Sequence, residues 1–293
     1  MMTFTSPLFR EGFIPFKGYR TWYRIAGDIN SISTDSVPVL ALHGGPGIPH
    51  ESLQPLEQLA LVGRPVIFYD QLGCGNSDRP DDISWDISIF LEEIAAIRDA
   101  LQLDRVHLFG HSWGGMLALE YALREQETLA SLTLASTPAD AQHMFAGQQR
   151  IWQQLPADIL TLLKVQGEER DAARQRALAY FDRHFYCRCD PWPDHLLQAR
   201  SPEKRNVTLN QWMWNTALRE WNITPQLHKI ILPTLITAGS HDGIAVGQDS
   251  ILHERIAASQ RVVFMESSHY AHAEETERYL DVLQQFLHQS EPV

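Results

Sequence analysis

The stretch Val106-His107-Leu108-Phe109-Gly110-His111-Ser112-Trp113-Gly114-Gly115 decides the fold. Its first half is a short apolar run that ends on a glycine. Its second half opens a helical pattern with Met116, Leu119 and Leu123 on one face. A serine set as Gly-x-Ser-x-Gly between a strand and a helix sits on a sharp, strained turn that lifts its hydroxyl clear of the backbone, and the glycines leave room for that turn. The helix beginning behind Ser112 adds a dipole that favours developing negative charge.

Outward from this turn the strand–helix pattern repeats. Apolar runs at 19–25, 37–43, 65–70, 105–110 and 129–136 are bounded by turn residues and suit buried strands of a mostly parallel sheet. Ile87, Phe90, Leu91, Ile94, Ile97 and Leu101 recur at helical spacing and predict a helix from about 85 to 103. From about 138 to 228 the pattern is helical, with Pro and Trp interspersed. Strand-like runs then return at 233–238 and 261–266, and a last helix is expected over 274–289. The chain therefore reads as a doubly wound α/β domain in two parts, 1–137 and 229–293, with a helical cap at 138–228. Such a cap would lie over the carboxyl ends of the strands, where ligands bind.

The bulk properties narrow the partners. A net charge of −12 lacks the basic face that a nucleic acid or an anionic membrane requires. No apolar run approaches the ~18 residues of a membrane span, and Met1-Met-Thr-Phe-Thr-Ser-Pro7 has neither the basic nor the apolar region of a secretion signal. Three cysteines, Cys74, Cys187 and Cys189, read as free thiols, so the cytoplasm is the expected location. Cys74 is expected to be a packing residue, and neither a metal nor a cofactor is expected.

A serine hydroxyl is a poor nucleophile at neutral pH and needs a base, which needs an orienting acid. Asp242 follows the run 233–238 and His269 follows the run 261–266, so each stands at a strand's carboxyl end, as Ser112 does. Their chain order, Ser then Asp then His, suits this architecture. It favours a catalytic Asp242 over a simple turn residue, and His269 over the nearby His272. His43-Gly44-Gly45-Pro46-Gly47 follows the run 37–43. The Gly45 N–H, paired with that of Trp113, is expected to hold an oxyanion. Gly44 is expected to lie against the substrate. No Gly-Lys-Ser/Thr marks a phosphate loop, and His43 keeps no second metal ligand at helical spacing, which leaves it a structural hydrogen-bonding role. The set implies two-step acyl transfer: attack by Ser112, proton transfer through His269, and release of the acyl group by water.

His43-Gly-Gly-Pro-Gly47, Tyr69-Asp-Gln-Leu-Gly-Cys-Gly-Asn-Ser77 and Gly110-His-Ser-Trp-Gly-Gly115 resemble the proline iminopeptidase family of α/β-hydrolases, from about Phe13 to the last helix. Tyr19-Arg-Thr-Trp-Tyr-Arg24 and Pro191-Trp-Pro193 further resemble its L-amino-acid amidase branch, the prolinamide hydrolases. The resemblance implies cleavage of an amide after a free N-terminal residue, often proline. It also implies acidic residues that hold the substrate ammonium, one directly after the triad aspartate and one in the cap ahead of a Trp-x-Ile-Thr segment. Here those positions hold Gly243 and, with Trp221-Asn-Ile-Thr224 as landmark, Gln211. Neither offsets the desolvation of an ammonium as a carboxylate does, although Glu203 or Glu220 stands nearby in sequence.

Trp214, Leu218 and Trp221 fall at i, i+4 and i+7, as one helical face that either packs the cap or walls an apolar substrate; Trp212 stands beside them. Three readings follow. The first is a serine hydrolase of small amides. The second keeps the triad but takes an ester, lactone or acyl amide without a free amine. The third is a non-catalytic ligand-binding protein on the same scaffold. Oligomeric state is not encoded in these patterns.

Overall fold

The computed structural model describes residues 8–29 and 36–291, so Met1–Pro7, weighed above against a secretion signal, lie outside the described residues. The strands in chain order are β1 Phe9–Phe16, β2 Tyr19–Ala26, β3 Val39–Leu42, β4 Val66–Tyr69, β5 Val106–His111, β6 Leu129–Ala135, β7 Thr234–Gly239 and β8 Ser259–Phe264. They form one sheet in the order β1-β2-β4-β3-β5-β6-β7-β8. β4, β3 and β5 to β8 run parallel, while β1 and β2 add an antiparallel edge.

Period-two alternation divides the strand side chains between two cores. Leu40, Leu42, Ile67, Leu108, Leu132, Leu134 and Ile236 join Ile94, Ile97 and Leu117 of helices α1 (Ile87–Ala100) and α2 (Trp113–Glu125). Their neighbours Val39, Ala41, Val66, Phe68, Phe109, Ala135 and Leu235 join Leu53, Leu56, Leu283 and Phe286 on the opposite face. That face is covered by the 3-10 helix His50–Val62 and by the C-terminal helix. Each fully buried Leu, Ile or Phe stabilises by about 1.5–3 kcal/mol.

Two elements differ from the pattern expected. β1 has no counterpart among the expected strands, because only Ile14 and Phe16 of its eight residues are buried, which leaves no clear alternation. It is held by a tight turn at Lys17 and Gly18, both at positive φ, as a two-residue hairpin requires. The last helix divides into Ala271–Glu274 and Thr276–Gln289. At the break Glu275 accepts hydrogen bonds from Ser267 Oγ (2.6 Å) and the Glu266 N–H (3.1 Å), which anchors the loop ahead of His269.

Between β6 and β7 a helical insertion carries α3 (Ala141–Gln153), α4 (Ala157–Leu162), α5 (Arg170–Phe181), a π-helical turn at Asp182–Tyr186, α6 (Asp194–Ala199) and α7 (Val207–Asn215). α7 stops at Asn215, and the non-helical Thr216 follows with φ −124° and ψ −96°. Trp214, Leu218 and Trp221 therefore do not share a helical face. Leu218 and Trp221 join the core, where the Trp221 indole donates to Glu120 Oε1 (2.9 Å); Trp214, half-buried, packs against the same core, and Trp212 is exposed.

The loop at 70–77 is a polar knot. Asp70 accepts from the His50 N–H (2.9 Å), His50 Nδ1 (2.7 Å) and the Asn76 N–H (2.8 Å). Gln71 receives the Trp113 indole N–H (2.8 Å) and donates its amide to the His43 carbonyl (3.1 Å). Fully buried Glu93 takes the Leu72 N–H (2.9 Å) and the Thr21 hydroxyl (2.5 Å).

Burial pushes the Glu93 carboxyl from its ordinary 4.5 up to about 8. The folded chain thus binds a proton that the unfolded chain has released, and the stability this contributes falls as pH rises from 4.5 to about 8. The melting temperature of Glu93→Gln relative to wild type should therefore rise between about pH 5 and pH 8. A constant difference across that window would contradict the protonated assignment.

Candidate active site

Ser112 joins β5 to α2 at φ 54° and ψ −117°. Its N–H donates to the Ala135 carbonyl (2.8 Å) and its own carbonyl accepts from the Gly115 N–H (2.9 Å), so the neighbouring strand and the new helix both hold the turn. A Cβ at Gly114 would overlap the carbonyls of Leu42 and His43, so the helix can begin this close to β3 only with glycine there.

Asp242 follows β7. Its Oδ1 accepts the N–H groups of Ile244 (2.8 Å) and Ala245 (3.0 Å), and His269 Nδ1 lies 3.1 Å from Oδ1 and 3.0 Å from Oδ2. Asp242 is thus both a turn residue and a histidine partner. Burial works against its charge, but His269 and the two N–H groups outweigh it and hold the carboxyl below its ordinary range. His269 is fixed in turn by its backbone: its N–H donates to the Tyr186 carbonyl (3.2 Å), and its carbonyl accepts from His111 Nε2 (2.9 Å). With Nδ1–H donated to a carboxylate, Nε2 is the ring's free basic nitrogen.

His272, the competing histidine, donates Nε2–H to the Ser52 carbonyl (2.9 Å), and burial lowers it to about 3. His43 accepts the Gln71 N–H at Nε2 (2.9 Å) and, buried, falls to about 4. Cys74 is fully buried, and burial pushes its thiol well above the ordinary range. One group with metal-ligand spacing occurs among the described residues, His50, Glu51 and Asp70. Its atoms are engaged with one another and with Lys204, whose Nζ lies 3.0 Å from Glu51 Oε1.

Ser112 and His269 line one cavity of about 340 Å³. Gly45 also lines it, at φ 121°, where a Cβ would come 2.5 Å from the Gly47 nitrogen. The cap grips this loop: Trp214 Nε1 donates to the Gly45 carbonyl (3.2 Å), Asn210 Nδ2 to Pro46 (3.0 Å) and the Asn206 N–H to Gly47 (2.9 Å). Trp113 is the first residue of α2, so its N–H is one of those without an intrahelical acceptor.

Three expected substrate contacts lie off the cavity. α7 presents Val207, Asn210 and Trp214 to it, at i, i+3 and i+7, while Gln211, at i+4 on the edge of that face, is exposed and absent from the lining. Gly243 is buried beneath the cap: its N–H donates to the Phe185 carbonyl (3.0 Å), and a Cβ would come 2.6 Å from Phe185 Cβ. Gly44 packs against His111 and Ser112. Glu203 and Glu220 are exposed and also absent from the lining. No Asp or Glu lines the cavity among the described residues, whereas Arg200 and Arg205 do. Sequence spacing gave no signal for these two arginines, since they come from the irregular stretch around the short helix α6.

The sheet, the elbow and the cap define an α/β-hydrolase, and the family model described as "alpha/beta hydrolase fold" matches residues 37–276. Within that class the chain belongs to the proline iminopeptidase family. It is 36% identical over 291 residues to the proline iminopeptidase of Heyndrickxia coagulans, covering 96% of this chain and 99% of that one. The proline iminopeptidase of Saccharolobus solfataricus is 34% identical over 283 residues, covering 92% and 89%. The crystal structure of a proline iminopeptidase from Mycobacterium smegmatis superposes with a TM-score of 0.83 at 29% identity, covering 96% of this chain and 99% of that one. No helix among the described residues is long and apolar enough to cross a membrane.

Installing a carboxylate beside Asp242 with Gly243→Asp should force Phe185 aside, at an overpacking cost of about 1–3 kcal/mol. The check is a melting curve, and an unchanged melting temperature would show that Phe185 does not close this position.

Proposed function

We propose that this chain is a serine hydrolase that opens small amides through an acyl-enzyme. Ser112 is the nucleophile, His269 the general base and then acid, Asp242 the orienting carboxylate, and the Gly45 and Trp113 N–H groups the oxyanion donors. One observation carries the reading: His269 Nδ1 lies 3.0 and 3.1 Å from the two Asp242 oxygens while the same ring shares its cavity with Ser112.

Nε2 takes the hydroxyl proton as the Ser112 oxygen attacks the carbonyl carbon. The imidazolium so formed is stabilised by the charged Asp242. Negative charge gathers on the former carbonyl oxygen, where each backbone donor contributes about 3–4 kcal/mol of barrier lowering. His269 then protonates the departing amine, and water, deprotonated by the same ring, releases the acid. Within Pro191-Trp-Pro193, the segment that resembles the amino-acid amidase branch, Trp192 stacks on the cavity residue Tyr186, so this segment can act on the substrate pocket. The free thiols of Cys74, Cys187 and Cys189 support a reducing, cytoplasmic setting.

A second reading, in which the substrate is an amide, ester or lactone without a free amine, is favoured by the cavity wall. It offers an ammonium no carboxylate among the described residues.

Ser112→Ala should abolish turnover and labelling by a neutral fluorophosphonate while leaving the melting curve in place. Asp242→Asn should lower kcat by roughly 10⁴-fold, by analogy with the serine-protease triad. Turnover of Ser112→Ala at the wild-type rate would overturn the mechanism. Prolyl and N-blocked prolyl p-nitroanilides separate the two substrate readings, because the blocked compound is cleaved only if a free amine is dispensable.

A further inference from the structure

We propose that Arg200 and Arg205 form an anion-binding subsite in the cavity of Ser112, and that the substrate joins a carboxylate to an apolar body. This rests on the reading of Ser112 as the nucleophile.

Four observations carry it. Both arginines line the same cavity as Ser112 and His269. Two guanidiniums share one carboxylate among the described residues: Asp182 lies 3.5 Å from Arg200 Nη2, at the outer limit of a hydrogen bond, and also feels the charge of Arg205. Arg200 Nη1 and Arg205 Nε are buried and have no hydrogen-bond partner among the described residues. A cationic N–H left unpaired away from water is costly; with both forks incompletely satisfied by the protein, their charge remains available to a ligand carboxylate in the cavity. Finally, the Arg200 guanidinium lies over the rings of Tyr186 (4.5 Å) and Trp192 (5.1 Å), so its plane is set before any ligand arrives.

The remaining wall agrees. Ile48, Met144, Phe145 and Val207 give the cavity an apolar lining that suits an acyl chain or ring. The chain as a whole carries a net charge of −12, yet this wall holds two guanidiniums and no carboxylate among the described residues. The sign of the site is thus opposite to that of the protein. A guanidinium fork matches a carboxylate in two parallel hydrogen bonds.

The carboxylate could sit on the acyl part or on the leaving part, and two substrate pairs separate these. The first is the mono-p-nitroanilide of glutaric acid against valeryl p-nitroanilide. The second is N-valeryl-4-aminobenzoate against N-valeryl anilide. In wild type the anionic member of at least one pair should show kcat/KM about tenfold or more above its neutral partner, mostly through KM, and the pair that responds identifies the side. That ratio should collapse toward one in Arg200→Gln and in Arg205→Gln and be partly kept in Arg200→Lys. Because it compares two substrates on one protein, a loss of folded enzyme cancels.

A ratio near one in wild type for both pairs, or a ratio unchanged in both Gln variants, overturns the subsite. If the neutral fluorophosphonate fails to label wild type, the hydrolase reading falls separately. Calorimetric titration of Ser112→Ala with both pairs then still decides the subsite. Binding about tenfold tighter for the anionic member of at least one pair supports it, and equal binding within both pairs overturns it.

Discussion

A serine held at φ 54° and ψ −117° is costly in isolation, on the order of 1–3 kcal/mol, and much of the surrounding structure exists to hold it there. The Ala135 carbonyl of β6 takes the Ser112 N–H, and the first turn of α2 takes its carbonyl. Gly114 lets that helix start against the carbonyls of Leu42 and His43. Gln71 then ties the Trp113 indole to the loop after β4. Strand order follows from the same demand, because β3, β5, β6 and β7 must lie side by side for their carboxyl ends to meet at one point.

The cap completes the site as much as it covers it. Asn206, Asn210 and Trp214 bond three successive carbonyls of the Gly45-Pro46-Gly47 loop, so the expected oxyanion donor is set by a segment more than 150 residues away in the chain. From the other side, Phe185 closes over Gly243, and the Tyr186 carbonyl takes the His269 N–H. Both halves of the proposed chemistry therefore depend on how the insertion packs. The two arginines arrive with it.

Legibility in the sequence followed the strength of local constraint. The parallel strands, α1 and the elbow were readable because buried apolar runs and Gly-x-Ser-x-Gly each report their own surroundings. The meeting of Asp242 with His269 was readable because each follows a strand. β1 was not, since an edge strand with two buried side chains has almost no hydrophobic period. The stripe Trp214, Leu218 and Trp221 packs on the core as one of its two readings had it, but not as a helical face, because its spacing is helical while its backbone is not: Thr216 bonds its hydroxyl to the Trp212 carbonyl (2.7 Å) and α7 ends there. Gln211 was one residue from Asn210, which does face the cavity, so an error of one position moved the expected contact to solvent. Arg200 and Arg205 had no periodicity to report them, and only the folded cap brings them into the cavity that Ser112 lines.

The proposed chemistry depends most on a covalent bond between substrate and Ser112. The direct measurement is a rapid-quench experiment with a slow-deacylating p-nitrophenyl ester, followed by peptide mapping of the acid-stopped enzyme. A burst of nitrophenol equal to the enzyme concentration, with the acyl mass on the peptide that contains Ser112, is the predicted result. Steady turnover with no burst and no acyl mass on that peptide, or an acyl group found on another residue, would contradict it.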